Sequence, residues 1–171
     1  SYVEDVSGYI KQGAFNKLES EDYESSLVYI VALINLGYED EKVLFALGNV
    51  LENIDISGLN EEEKLEHAMG IMKIYEDSLS LNPEFSLAHY KLGYIYKEFG
   101  QFLKSKLTFE KALNYDSNDF RRQEIREVIE SIEDDVLLET AITLMEKGKY
   151  NDALEELLKI RLDRTDDIVY Y

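Results

Sequence analysis

The sequence predicts an all-α chain built from antiparallel helix pairs, and three observations carry that prediction. Apolar residues recur at helical spacing in successive stretches separated by short turns at Gly37, Gly100 and Gly148. A small residue recurs at Ala14, Gly48, Gly93 and Ala141, the first two 34 residues apart and the later ones 45 and 48 apart. The 171 residues hold one proline, Pro83, and no long glycine or serine run, which argues against disordered linkers.

Residues 7–40 give the first pair. Val6, Ile10, Ala14 and Leu18 form one helical stripe, and Tyr23, Ser26, Leu27, Ile30 and Leu33 form the next. Residues 41–85 give the second pair. Leu44, Leu47, Gly48 and Leu51 mark its first helix, and Ser57-Gly58 reads as a turn. Asn60 followed by Glu63 reads as a capping box that starts a helix carrying Leu65, Ala68, Met72, Tyr75 and Leu79. That helix is about two turns longer than usual and ends at Asn82-Pro83.

The third pair, 86–119, has the clearest pattern. Leu87, Tyr90 and Tyr94, with Leu92, Gly93 and Tyr96, make a helix that Gly100 stops through a left-handed backbone. Phe102, Ser105, Phe109, Ala112 and Leu113 restart the pattern. Gly93 and Ala112 let the two helices approach closely, and Tyr96 and Phe109 fill the space between them. Residues 120–133 carry Phe120, Ile125, Val128, Ile129 and Ile132 at helical spacing with no breaker, which predicts one extended helix from about Asn118 to Lys147 before the last pair. The fourth pair, 134–167, shows Leu137, Ala141, Leu144, Gly148, Tyr150, Ala153, Leu157 and Ile160.

Leu92-Gly93, Tyr96, Phe109 and Ala112 fall at the offsets of a tetratricopeptide repeat, and 86–119 resembles that family closely. The resemblance extends over 134–163, 41–85 and 7–40. It departs at His89, where Trp is usual, at Ser105, where Ala is usual, and at Ser117, where Pro is usual. Gly13 and Lys17 also stand where large apolar residues are usual. The resemblance implies a right-handed α-solenoid forming a single array over 1–171. Ile168-Val169-Tyr170-Tyr171 begins where a fifth repeat would begin. Because an array should end on a polar outer face, the chain is expected to be an excerpt of a longer repeat protein and to self-associate through this end.

The resemblance also implies a non-enzymatic scaffold whose first helices line a concave groove that takes a peptide or protein segment. Carried over position by position, the groove residues are Phe45, Asn49, Glu52, Tyr90, Tyr94, Lys97 and Ile142, joined by Lys11, Phe15, Leu138 and Met145. Asn49 offers an amide to a peptide backbone, and Phe45, Tyr90 and Tyr94 are aromatic anchors for apolar side chains. A competing expectation is that the helix over 118–133 folds back and fills the groove, which would make these aromatics ordinary core. Lys11, Asn49 and Lys91 do not reproduce the clamp for a C-terminal carboxylate known in one branch of the family. An alternative function is a docking domain of a larger protein whose catalytic domain lies elsewhere.

Composition narrows the rest. The net charge of −18 argues strongly against unaided binding to nucleic acid, and reads first as a solvated acidic surface and second as one suited to a basic partner. No cysteine is present, so disulfides, thiolate metal sites and cysteine nucleophiles are excluded. No apolar run approaches the roughly 20 residues that span a bilayer, and the N-terminus has no basic start or apolar signal core. The expectation is a cytoplasmic protein without a membrane partner. His89 reads as a packed core histidine and His67 as exposed, and neither has metal-ligand spacing. The acidic pairs Asp134-Asp135 and Asp166-Asp167 diverge on a helix and do not converge on a substrate. No catalytic set, metal site or cofactor is expected.

Overall fold

The computed structural model describes residues 2–160, and among the described residues it contains nine α-helices and no strand. The chain divides into two compact units, residues 1–92 and 93–171.

In the first unit, α1 (Tyr2–Glu19) pairs with α2 (Tyr23–Asn35), and α3 (Glu41–Asn53) pairs with α4 (Glu61–Leu81). The boundaries follow from local chemistry. Asp22 caps α2 by accepting from the Ser25 N–H at 3.2 Å and also pairs with Lys17 at 2.7 Å. Lys17 therefore takes an ionic partner where an apolar residue is usual. Gly37, at φ 81°, lets Tyr38 N–H reach back to the Leu33 carbonyl at 3.0 Å and close α2. Asp40 caps α3 by accepting from Lys42 and Val43 N–H at 3.0 and 2.8 Å. The Asn60–Glu63 capping box is present, and α4 runs 21 residues against 13 in α2 and α3.

The core of this unit gathers Ala14, Ile30, Leu33, Val43, Ala46 and Val50. Small residues set the helix separation. A Cβ on Gly48 would stand 2.6 Å from the Tyr75 ring, and one on Gly13 would stand 2.8 Å from Tyr29. Gly13 thus makes room for a tyrosine from α2, which supplies the bulk that the pattern usually places at position 13. Fully buried Ser26 and Ser78 donate to carbonyls of the facing helices, Ser26 to Ala14 at 2.9 Å and Ser78 to Glu41 at 2.7 Å.

The helix α5 (Ser86–Glu98) crosses the boundary between units, and the second unit continues with α6 (Phe102–Tyr115). Gly100, at φ 69°, closes α5 with Gln101 N–H on the Tyr96 carbonyl at 2.8 Å. Ser105, buried where alanine is usual, donates to the Gly93 carbonyl at 2.7 Å. Near Ser117, where proline is usual, Asp116 organises the turn instead. It accepts from Asn118 N–H at 2.8 Å and pairs with Arg121, while Arg122 donates to the Asp116 carbonyl at 2.9 Å.

The single helix expected from about Asn118 to Lys147 is two helices, α7 (Asp119–Ser131) and α8 (Glu133–Glu146), meeting at Ile132 with φ −102° and ψ 5°. No local breaker causes the bend. It places Ile132 in the core and brings α8 onto α6, where Glu133 pairs with Lys106 at 2.8 Å and Glu139 accepts the Leu103 N–H at 2.8 Å. Gln101 gives α6 no side-chain cap, so Glu139 satisfies a first-turn donor that would otherwise lack a partner. These tertiary bonds outweigh the helical propensity of the junction. Gly148, at φ 73°, then leads into α9 (Tyr150–Leu157), which packs on α8. Residues 168–171, the end of the fourth repeat from 161 onward, and the self-association expected there lie outside the described residues.

Candidate functional site

Residues four and seven positions apart share one side of a helix, and the expected groove residues fall into such rows. In the first unit, Phe45, Asn49 and Glu52 lie along α3. Phe45 is half-buried, its ring 5.5 Å from Tyr75 and edge-on to Phe85 at 5.3 Å. Asn49 is half-buried and accepts from Asn53 Nδ2 through its backbone carbonyl at 2.8 Å and its side-chain oxygen at 3.1 Å. Glu52 forms an ion pair with Lys91 of α5. Tyr90, on the same helix as Lys91, is half-buried. Beneath this row Tyr75 is fully buried, and its hydroxyl has no hydrogen-bond partner among the described residues. Burial pushes the Tyr75 pKa well above the ordinary phenol value, and the Glu52 carboxylate adds to the rise.

In the second unit, Tyr94 stands edge-on to Phe109 at 5.0 Å and donates its hydroxyl to Glu124 of α7 at 2.6 Å. The extra helix therefore supplies the hydrogen-bond partner of Tyr94. Lys97 is half-buried. On α8, Leu138, Ile142 and Met145 are 46%, 45% and 39% exposed, a continuous apolar row facing solvent.

A cleft of about 390 Å³ opens between the first half of α1 and the α2–α3 turn, with Lys11, Leu33, Tyr38, Glu39, Asp40 and Val43 among its walls. Lys11 Nζ pairs with Asp40 Oδ2 there at 2.6 Å. Burial alone would raise the Asp40 pKa. The bonds from Lys11, Val43 and Lys42 outweigh burial and hold it below the usual carboxylate value.

Both histidines serve the fold. His89 is buried, with Nε2 2.8 Å from the Pro83 carbonyl, as its position predicts. His67 corrects the expectation of exposure. It is half-buried, with Nε2 2.9 Å from the Leu51 carbonyl, because α4 lays this residue against the end of α3. Among the described residues no three metal-ligating side chains converge, and no helix is long and apolar enough to cross a membrane. The pairings of Lys91 with Glu52 and of Glu124 with Tyr94 have no local signal in the sequence, since they join residues 39 and 30 positions apart.

A family profile described as tetratricopeptide repeat matches residues 74–106. Tetratricopeptide repeat protein 6 of Homo sapiens is 41% identical over 54 residues, which cover 32% of this chain and 10% of that protein. A solved thermophilic TPR protein of Thermus thermophilus is 14% identical, with a TM-score of 0.53, covering 91% of this chain and 72% of that one. A further solved structure, YrrB, described as a TPR protein with an unusual peptide-binding site, is 17% identical, with a TM-score of 0.49, covering 95% of this chain and 70% of that one. The profile match and the human relative agree with the helix pairs described above, and the Thermus structure shares their all-helical fold. Over residues 74–106 the chain is thus similar to the tetratricopeptide repeat family, and its helix pairs share the fold of the Thermus TPR structure.

Proposed function

We propose that this protein is a non-enzymatic scaffold that holds a peptide or protein segment along the first helices of its pairs. One observation carries the reading: α8 presents Leu138, Ile142 and Met145 as an exposed apolar row on a first helix. Exposed apolar side chains in a row are the usual footprint of a partner. The row on α3 adds Phe45, Asn49 and Glu52, and that on α5 adds Tyr90, Tyr94 and Lys97. Tyr94 contributes through its ring edge, since its hydroxyl is held by Glu124.

The test is affinity capture from native lysate with the parent chain, an Ile142→Ser/Leu138→Ser variant and an Asn49→Ala variant. A partner held by the parent and lost by the folded α8 variant supports the reading. Identical partners for all three chains, or none, refute it. A second reading, a docking domain within a longer protein, is favoured by the human relative, in which the matched stretch is 10% of the length. The length of the complete reading frame decides it.

A further inference from the structure

We propose that the cleft between α1 and the α2–α3 turn is a subsite for a basic side chain, a lysine or arginine of a bound segment. This inference rests on the scaffold reading and names the partner chemistry at one place on its surface. Three features of the first unit support it.

The first is a fixed carboxylate. Asp40 Oδ1 is held by Lys42 and Val43 N–H, so the side chain keeps its position whatever its Oδ2 meets. Oδ2 faces Lys11, whose ammonium is 2.6 Å away at the end of a flexible side chain. Lys11 thus occupies the place that an incoming ammonium or guanidinium would take, and both members of the pair are about two-fifths exposed, at 40% and 42%. An ion pair this open exchanges partners at small cost.

The second is wall chemistry. Half-buried Tyr38 offers apolar surface to the methylene stem of a long basic side chain, over a floor formed by the core residues Leu33 and Val43, and exposed Glu39 stands beside Asp40 as a second acceptor. The third is charge. Residues 1–92 hold 18 acidic and 6 basic side chains, so a cationic segment is drawn to this unit and an anionic one is repelled.

Gly8 gives a test that leaves charge untouched. It lines the cleft, and a Cβ built on it meets nothing within 4 Å, so a larger side chain there adds bulk at the cleft wall without a clash. The probes are a blocked, fluorescein-labelled octapeptide of alternating alanine and lysine and its alanine–glutamate counterpart, read by anisotropy at low salt. The parent should bind the lysine peptide and not the glutamate peptide. Gly8→Leu should weaken lysine-peptide binding by about tenfold or more at unchanged net charge. Asp40→Asn should do the same while keeping the helix cap, because asparagine caps as aspartate does. Lys11→Ala should tighten binding by removing the internal competitor.

Circular dichroism and melting of each variant confirm that the fold is retained. Lysine-peptide binding unaffected by Gly8→Leu and Asp40→Asn overturns the inference and assigns the attraction to general surface charge. Absence of lysine-peptide binding by the parent also overturns it. If the parent still captures a partner through α8 in lysate, the scaffold reading survives that failure. If capture fails as well, both fall.

Discussion

The ring of Phe109 lies against the backbone of Gly93 so closely that a methyl group on Gly93 would come within 2.7 Å of three ring carbons, near enough that one of them must move. Gly70, inside α4, has nothing within 4 Å of the same point. One substitution should therefore act in opposite directions at the two sites. Gly93→Ala should lower stability by about 1–2 kcal/mol, the overpacking cost less the gain in helix propensity. Gly70→Ala should raise it by about 0.5–1 kcal/mol. Urea denaturation of both variants checks this, and adding Phe109→Leu should recover part of the Gly93→Ala loss.

Among the described residues four turns carry a residue at positive φ, three with glycine and one with Glu21 at φ 59°. An L side chain pays for that conformation, and glycine does not. Glu21→Gly should raise stability by roughly 0.5 kcal/mol after the extra freedom of the unfolded glycine is subtracted, read as a higher urea midpoint. Gly100→Ala should lower stability by about 1 kcal/mol or more.

The buried hydroxyl of Tyr75 makes no hydrogen bond of ordinary geometry among the described residues, although the Glu52 carboxylate acts on it, and a polar atom buried in this way costs free energy. Tyr75→Phe keeps the ring that packs on Gly48 and Phe45 and deletes only the orphaned atom. It should stabilise the chain by about 1 kcal/mol. A lower thermal midpoint for the variant would show that the hydroxyl is satisfied in solution.

Asp116 titrates in acid. Burial alone would raise its pKa, and the Arg121 side chain, the Asn118 N–H and the charges of Arg121 and Arg122 outweigh burial and lower it. A carboxyl whose folded pKa lies below its unfolded value adds stability above the unfolded pKa of about 4, and that stability is lost as pH falls through the folded value. Stability measured from pH 5 down to pH 2 should fall with a contribution from this group. Asp116→Asn should be less stable at neutral pH and should show a shallower fall in acid.

Much of the fold was legible because its signals are local. The Asn60–Glu63 capping box, the long α4, the glycine turns and the close approach at Gly93 all depend on residues near one another in sequence. The bend at Ile132 was hidden because its causes, Lys106–Glu133 and Leu103–Glu139, join residues 27 and 36 positions apart. The same holds for His67, whose partner Leu51 lies across a loop. The candidate site was legible as positions and not as environments. Spacing alone puts Phe45, Asn49 and Glu52 in one row, as it does Tyr90, Tyr94 and Lys97. That Glu124 takes the Tyr94 hydroxyl and Lys91 takes Glu52 depends on helices that periodicity does not orient.

Two of the serine bonds that join paired helices, Ser26 to Ala14 and Ser105 to Gly93, each span only 12 residues. Each of these hairpins can therefore close before the chain has searched for distant partners, which favours rapid folding from more than one starting point. Amide exchange should then show α1–α2 and α5–α6 gaining protection as separate events. A change that disrupts one hairpin would leave the other able to form, so damage here should surface as partial unfolding.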